Sequence, residues 1–291
     1  MGWVETFIAV DWGTTNRRAW RIAGGVVEQE FEDGRGVLSV DKAEFQAAVA
    51  EIRERLGNHP LLMAGMIGSN RGWVEAPYVP CPAGVADIAG ALCWAEPGLA
   101  AIVPGLSSDH PPDVMRGEEA QVVGAIAAGL VPGDALICHP GTHNKWVIVA
   151  GGRIARFRTV MTGELFSLLS KHSILSDLLG GDIAPGEAFR AGVARSLAGD
   201  ALGAELFSVR ASVLLGKSRK QDAADFTSGL LIGADIAFGL QQAASNEIFV
   251  MGSPALTRLY AAAIDTAGRR PTEIDGETAF IAGINAIAGQ I

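Results

Sequence analysis

Phe7-Ile8-Ala9-Val10-Asp11-Trp12-Gly13-Thr14-Thr15-Asn16-Arg17-Arg18-Ala19-Trp20-Arg21-Ile22 is the stretch whose reading decides the fold. An apolar run ends in an aspartate, a short polar turn follows, and alternation of apolar and charged residues then resumes. That pattern reads as strand, tight turn, strand. The turn offers backbone N–H groups, two threonine hydroxyls and a glycine that lets a ligand approach closely. Asp11 stands at the exit of the first strand, where it could hold a metal ion or its water. These are parts for gripping a phosphate tail with magnesium. Taken alone, the same stretch is also a β-hairpin with a polar tip, with Asp11 capping its own turn through the Thr14 or Thr15 N–H.

A second stretch of the same kind tips the balance. Asp134-Ala135-Leu136-Ile137-Cys138-His139-Pro140-Gly141-Thr142-His143-Asn144-Lys145-Trp146-Val147-Ile148-Val149 again runs from an apolar segment through a Gly-Thr turn into an apolar segment. Gly151-Gly152 then supports a hairpin to Ile154-Ala155-Arg156-Phe157. Ile248-Phe249-Val250-Met251-Gly252-Ser253-Pro254-Ala255 reads as a strand, a glycine turn and a helix start, with Pro254 suited to the first helical turn. Two related units far apart in the chain resemble the actin, hexokinase and heat-shock-chaperone ATPase superfamily. The resemblance implies α/β architecture with two ribonuclease-H-like lobes, each supplying a phosphate hairpin, and a nucleotide in the cleft between them. Gly252 would back the adenosine.

Further blocks narrow the resemblance: Met63-Ala64-Gly65-Met66-Ile67-Gly68-Ser69-Asn70-Arg71-Gly72-Trp73, Glu75-Ala76-Pro77-Tyr78, Val114-Met115-Arg116-Gly117-Glu118-Glu119, Pro140-Gly141-Thr142-His143, Lys145-Trp146 and Met161-Thr162-Gly163-Glu164-Leu165-Phe166. In this order, from Asp11 to about Ser173, they resemble the sugar-acid kinases called 2-dehydro-3-deoxygalactonokinases. The resemblance implies transfer of phosphate from ATP, with Mg²⁺, to the 6-hydroxyl of 2-dehydro-3-deoxy-D-galactonate in galactonate catabolism.

Composition bounds the rest. At 291 residues the chain suits one large domain or two ordinary ones, and 49% hydrophobic with 19% charged residues is enough for a substantial core. A net charge of −9 argues against a nucleic-acid surface. The first residues lack a signal peptide's basic start and apolar core, and no uninterrupted apolar stretch is expected to span a membrane. Cys81, Cys93 and Cys138 are odd in number and lack CxxC spacing, as expected of free thiols in a reducing cytoplasm. A homo-oligomer is compatible with all of this.

The periodicity predicts a strand meander over 6–32, a helix from the Asp41 cap to Leu56, strands at 61–66 and 100–104, and a helix over 118–130. A second meander covers 134–160, and helices are expected over 163–179, 185–197, 204–215, 227–244, 254–267 and 277–288, with strands at 247–251 and 271–274. The proline-rich Asp109-His110-Pro111-Pro112-Asp113 suggests the boundary, giving an N-terminal lobe 1–112 and a C-terminal lobe 113–291.

Phosphoryl transfer asks mainly for positioning and electrostatics. Asp11 is the candidate catalytic metal ligand. Gly13, Thr14, Thr15 and Asn16 form the first phosphate grip, and Gly141, Thr142 and His143 the second; His143 is equally well an ordinary turn residue. Lys145 reads as a solvated strand face or as a charge near the terminal phosphate. Glu118 is the candidate base: related sugar kinases open a helix with Gly-Asp just before the second hairpin, and here Gly117-Glu118 stands there. Glu119 is its competitor, and both could simply favour the helix N-terminus. Ser69, Asn70, Arg71, Trp73, Tyr78 and Arg116 are candidates for the sugar acid, Arg71 or Arg116 pairing with its carboxylate; Trp73 could instead anchor the loop, and Arg18 is a third candidate for the carboxylate, or on its strand only an ion-pair partner. Thr162 reads as a helix N-cap. Ala211-Ser212-Val213-Leu214-Leu215-Gly216-Lys217-Ser218 loosely matches a P-loop but ends a helical pattern instead of following a strand.

Overall fold

The computed structural model describes residues 3, 5–199, 201–242 and 245–291, so the outermost N-terminal residues and the expected end of one helix at Ala244 lie outside the described residues. Two compact units emerge, one comprising 1–133, 150–156 and 276–291, the other 134–149 and 157–275.

In chain order the first unit contains β1 (Thr6–Trp12), β2 (Arg17–Ala23), β3 (Val26–Asp33), α1 (Phe45–Leu56), β4 (Leu61–Gly65), β5 (Tyr78–Pro80), α2 (Val85–Gly90), β6 (Cys93–Glu96), β7 (Ala100–Ile102), β8 (Gly105–Asp109), β9 (Pro112–Met115) and α3 (Glu118–Ala127). Then come β10 (Ala135–His139), β11 (Asn144–Ala150), β12 (Arg153–Val160), α4 (Thr162–His172), α5 (Glu187–Leu197), α6 (Leu202–Leu214), α7 (Ala223–Leu240), β13 (Glu247–Gly252), α8 (Pro254–Thr266) and β14 (Arg270–Asp275). The closing helix α9 (Gly276–Ala288) returns to the first unit.

One sheet has the order β3-β2-β1-β4-β7-β6 and the other β12-β11-β10-β13-β14. Each begins with a three-strand meander and continues with parallel strands beside its first strand, β1 with β4 and β10 with β13. The two hairpins read from sequence are therefore the same piece of a repeated topology.

Burial explains the helices. On α1 the buried residues Phe45, Ala48, Val49, Ile52 and Leu56 fall on one helical face and pack with Val10, Trp12, Met63 and Ile102. Helices α3 and α9 cross where neither can carry a side chain: a Cβ on Gly124 would lie 1.9 Å from the Ala279 carbonyl oxygen, and one on Gly283 1.9 Å from that of Ala120. In the second unit α5 and α7 interlock likewise at Gly192 and Gly229. Helix α7 is a core helix. The stretch Lys220–Leu240, which includes it, is long and apolar enough to cross a membrane by length and composition, but Asp222, Asp225 and Asp235 interrupt it and it is mostly buried inside the protein.

The largest departure from the sequence reading is a three-stranded sheet of order β5-β8-β9. The expected boundary segment is the tip of its β8–β9 hairpin, with Asp109 opposite Pro112. Proline is tolerated there because β9 is an edge strand and need not donate on its open side. A division after 112 would cut this hairpin, and the compact units instead change over between Gly133 and Asp134. Asp41 precedes a short 3-10 turn, Lys42–Glu44, without a side-chain cap bond.

Candidate active site

The first turn is held from behind. The carbonyls of Gly13, Thr14 and Thr15 accept N–H bonds from Val37, Leu38 and Gly36 at 3.0, 3.1 and 3.0 Å. Gly36 is needed for this approach, since a Cβ there would lie 2.3 Å from the Thr15 carbonyl carbon. Gly13 N–H closes the turn onto the Asn16 carbonyl at 2.9 Å. The N–H groups of Thr14, Thr15 and Asn16 donate to no other described residue, and all three residues are exposed. That arrangement leaves the donors unpaired and the acceptors occupied, which suits an anion. Beneath the turn Arg17, fully buried, forks onto Asp33 at 2.9 and 3.0 Å and bonds the Ala48 carbonyl. Burial alone would raise the Asp33 carboxyl, but the Arg17 bonds and the Arg35 N–H outweigh it and hold it below the usual carboxylate range.

Asp11 does not cap its turn. Its Oδ2 accepts from Arg18 Nη2 at 2.8 Å, and Arg18 also reaches Glu277 of α9 at 3.4 Å, so Arg18 forms the ion pair that its strand position suggested. The end of β4 and the start of α3 gather in turn behind the exit of β1, where Asp11 stands. Gly65, at φ +94°, ends β4 so close to β1 that a Cβ would lie 2.8 Å from the Trp12 carbonyl oxygen and 3.5 Å from Asp11 Oδ1. Gly117, at φ +105°, brings the start of α3 against Gly65, with a Cβ position 3.2 Å from the Gly65 Cα. Glu118 therefore opens its helix beside the exit of β1. Among the described residues no three metal-ligating side chains come together.

The two glutamates differ sharply. Glu118 is half-buried and its Oε2 accepts the Arg116 N–H at 3.1 Å. Glu119 is fully buried, its Oε2 accepts the Gly117 N–H at 2.7 Å, and its Oε1 has no hydrogen-bond partner. Burial, reinforced by the neighbouring Glu118 charge, pushes the Glu119 carboxyl up to about 8.

The loop after β4 folds on itself. Trp73 N–H bonds the Ile67 carbonyl, Ala76 N–H bonds that of Gly68, and Gly72 has no room for a Cβ. Ser69 is half-buried and its Oγ accepts the Arg71 N–H at 3.3 Å. Asn70 and Arg71 are exposed, while Trp73 packs against the core and so serves as the loop's anchor. Arg116 donates to the Ala76 carbonyl at 2.8 Å and lies over the Tyr78 ring at 4.5 Å, its Nε and Nη1 buried without partners.

In the second unit the turn after β10 leaves Thr142 and His143 exposed. The Thr142 carbonyl accepts the Glu164 N–H at 3.0 Å, and His143 Nε2 lies 2.5 Å from Glu164 Oε2. Gly163 and Gly252 let α4 and β13 close on the turn: their Cβ positions would lie 2.7 Å from the Gly141 and 2.9 Å from the Pro140 carbonyl oxygen. Two sequence readings are corrected here. Lys145 is buried, because its strand position faces packed chain, and its Nζ lies 3.5 Å from the His143 carbonyl oxygen. Thr162 is the first residue of α4 and not its N-cap; its hydroxyl is drawn instead to Asp235 at 2.6 Å.

Asp235 is the residue the sequence reading missed. The available signal was a lone acid in the apolar run Leu230-Leu231-Ile232-Gly233-Ala234-Asp235-Ile236-Ala237-Phe238. A buried charge requires partners, and this one has them from three elements. Lys217 follows the end of α6 and is exposed, with no strand before it, so the P-loop match is fortuitous.

A repeated meander sheet carrying a polar turn in each unit, with a carboxylate at one strand exit, defines an actin-like phosphotransferase of the sugar-kinase kind. The chain belongs to the 2-keto-3-deoxy-galactonokinase family, whose sequence signature matches residues 11–287. It is 40% identical to the 2-dehydro-3-deoxygalactonokinase of Escherichia coli (strain K12), over 97% of both chains. It also resembles the crystal structure of a provisionally named 2-dehydro-3-deoxygalactonokinase from Sinorhizobium meliloti, at a TM-score of 0.91 and 38% identity, covering 97% of this chain and 98% of that one. Component A of the Acidaminococcus fermentans (R)-2-hydroxyglutaryl-CoA dehydratase matches at a TM-score of 0.51 and 13% identity over 98% of this chain and 96% of that one, a likeness of fold alone.

Proposed function

We propose that this chain transfers the terminal phosphate of ATP to the 6-hydroxyl of 2-dehydro-3-deoxy-D-galactonate, a step of galactonate catabolism in the cytoplasm. The observation that carries the reading is the convergence of the exit of β1, Gly65 and Gly117-Glu118 in the unit that also holds the unpaired N–H groups of Thr14, Thr15 and Asn16.

In this reading the N–H groups and hydroxyls of Gly13–Asn16 hold phosphate oxygens. The Gly141-Thr142-His143 turn does the same from its own unit, and Gly252 leaves room for the adenosine. Asp11 would hold Mg²⁺ or one of its waters; the bound ion would neutralise phosphate charge. Glu118 takes the proton from the acceptor hydroxyl. Glu119 is unsuited to that task, being sealed from solvent and protonated at neutral pH. Arg71, exposed on its loop, pairs with the sugar-acid carboxylate. Ser69, Asn70 and Tyr78 offer hydroxyl and amide groups to the sugar, Trp73 backs the loop, and Arg116 keeps Tyr78 and Ala76 in place with two N–H groups left for a ligand.

A coupled ADP-release assay over a panel of sugar acids and sugars tests the substrate. Turnover with another acceptor in preference to 2-dehydro-3-deoxy-D-galactonate would make the chain a kinase for that compound, and ATP binding without any acceptor would make it a nucleotide-dependent regulatory module. Glu118→Gln tests the base: turnover should fall by about 10²–10⁴-fold with the acceptor KM little changed. Near-normal turnover would reduce Glu118 to a helix cap.

A further inference from the structure

Asp235 lies in the middle of α7 and is 2% exposed. Its carboxylate accepts from Asn144 Nδ2 at 3.0 Å on both oxygens, from Trp146 Nε1 at 2.7 Å, from the Thr162 hydroxyl at 2.6 Å and from the Tyr260 hydroxyl at 2.7 Å. Burying a carboxylate is costly unless hydrogen bonds satisfy it, and these four donors do so.

Those partners all lie on elements that adjoin the second turn. Asn144 is the first residue after His143 and begins β11. Thr162 begins α4, and the next two residues touch the turn itself, Gly163 by close packing on Gly141 and Glu164 by its N–H to the Thr142 carbonyl. Tyr260 belongs to α8, which follows Gly252 and Ser253 directly. Trp146 is seated flat on α7 because Gly239, four residues beyond Asp235 and on the same helical face, has no side chain; a Cβ there would lie 2.1 Å from the indole ring.

We propose that Asp235 is a positioning residue for the nucleotide: one buried carboxylate fixes the outgoing strand, the supporting helix and the adenosine-side helix of the second turn in mutual register. The proposal rests on the kinase reading of that turn. The donors Asn144 and Trp146 present N–H groups whose hydrogens cannot be rotated away, so an uncharged side chain at 235 cannot satisfy all four groups at once. Loss of the charge should therefore loosen the turn and not merely the core.

The test is Asp235→Asn, nearly identical in shape, in the full chain. Steady-state kinetics with both substrates, ATP binding by calorimetry and thermal melting are measured together. The expected result is an ATP KM raised about tenfold with the acceptor KM within twofold. Leu230→Ala, an apolar truncation on the same helix, should lower the melting temperature and leave the ATP KM alone. Thr162→Val, removing a single donor, should raise the ATP KM severalfold, and it decides the matter if Asp235→Asn does not fold. An ATP KM unchanged in Asp235→Asn, or in Thr162→Val where that variant must serve, overturns the proposal and leaves Asp235 as a core group. If the unaltered protein binds no ATP, the kinase reading of the turn has failed as well, a result distinguishable from normal ATP binding by both protein and variant.

Discussion

The two polar turns stand on the same device built from different parts. In each unit the first residue after the turn is fully buried and binds a carboxylate, Arg17 to Asp33 in the first and Asn144 to Asp235 in the second. The first carboxylate is only 16 residues away on the neighbouring strand of the same meander. The second comes from a helix 91 residues away. A buried guanidinium brings its own charge and needs one ionised partner; an amide brings none, so the second carboxylate must collect additional donors from α4 and α8. The first turn is thus held by its own meander and a backbone zipper at 36–38, the second by the tertiary packing of its whole unit.

The sharpest way to set the turns apart is at the group only one of them has. Asp11→Asn should lower turnover by about 10²-fold or more, the scale of a lost group at developing charge. Thermal stability should shift little, since a partly exposed pair with Arg18 contributes only about 0–1 kcal/mol. Unchanged turnover at saturating Mg²⁺ would leave Asp11 as a simple ion-pair partner.

Wedging each turn tests whether both hold nucleotide. Gly36→Ala pushes on the Thr15 backbone and Gly163→Ala on that of Gly141 and Thr142. Each should raise the ATP KM by about tenfold, a loss of about 1.4 kcal/mol, with the acceptor KM little altered. An effect from one alone would break the symmetry drawn here.

Titration separates the carboxyls by the sign of their shift. Asp33 is held low by Arg17 and Arg35, so its contribution is complete above the ordinary range and is lost as pH falls below about 4. Glu119 is raised to about 8, so the folded chain keeps a proton that the unfolded chain releases. Its contribution is complete in mild acid and is lost as pH rises from roughly 4.3 towards 8. Denaturant melts from pH 5 to 8 should show the unaltered protein losing stability and Glu119→Gln losing less; parallel slopes would contradict a neutral buried Glu119. The smallest effect is expected at Lys217→Ala, which should leave turnover and ATP KM within twofold. A collapse there would mean that the stretch after α6 binds phosphate after all.

Both meanders, most helices and both turns were legible because their signals are local: an apolar run, a glycine-threonine turn, a face of period 3.6 on α1. The β5-β8-β9 sheet was not, because short strands paired across long connections carry little pattern of their own, and its proline-rich hairpin tip imitates a linker. At the candidate site, Asp11 and Gly117-Glu118 could be named from their places at a strand exit and a helix start. Nothing in the sequence showed that Gly65 and Gly117 would meet, or that Glu119 would point inward while Glu118 stayed half-exposed.

By itself, then, the sequence determined the repeated strand–turn–strand units, the family and the residue types at the turns, since backbone propensity and side-chain period are properties of neighbouring residues. The tertiary structure alone decided which charges are buried and with whom. Arg17 goes to Asp33, and Asp235 to four donors that the chain brings together from β11, α4 and α8. Desolvation and hydrogen-bond geometry depend on what the fold packs around a group, and that is set by residues scattered along the chain.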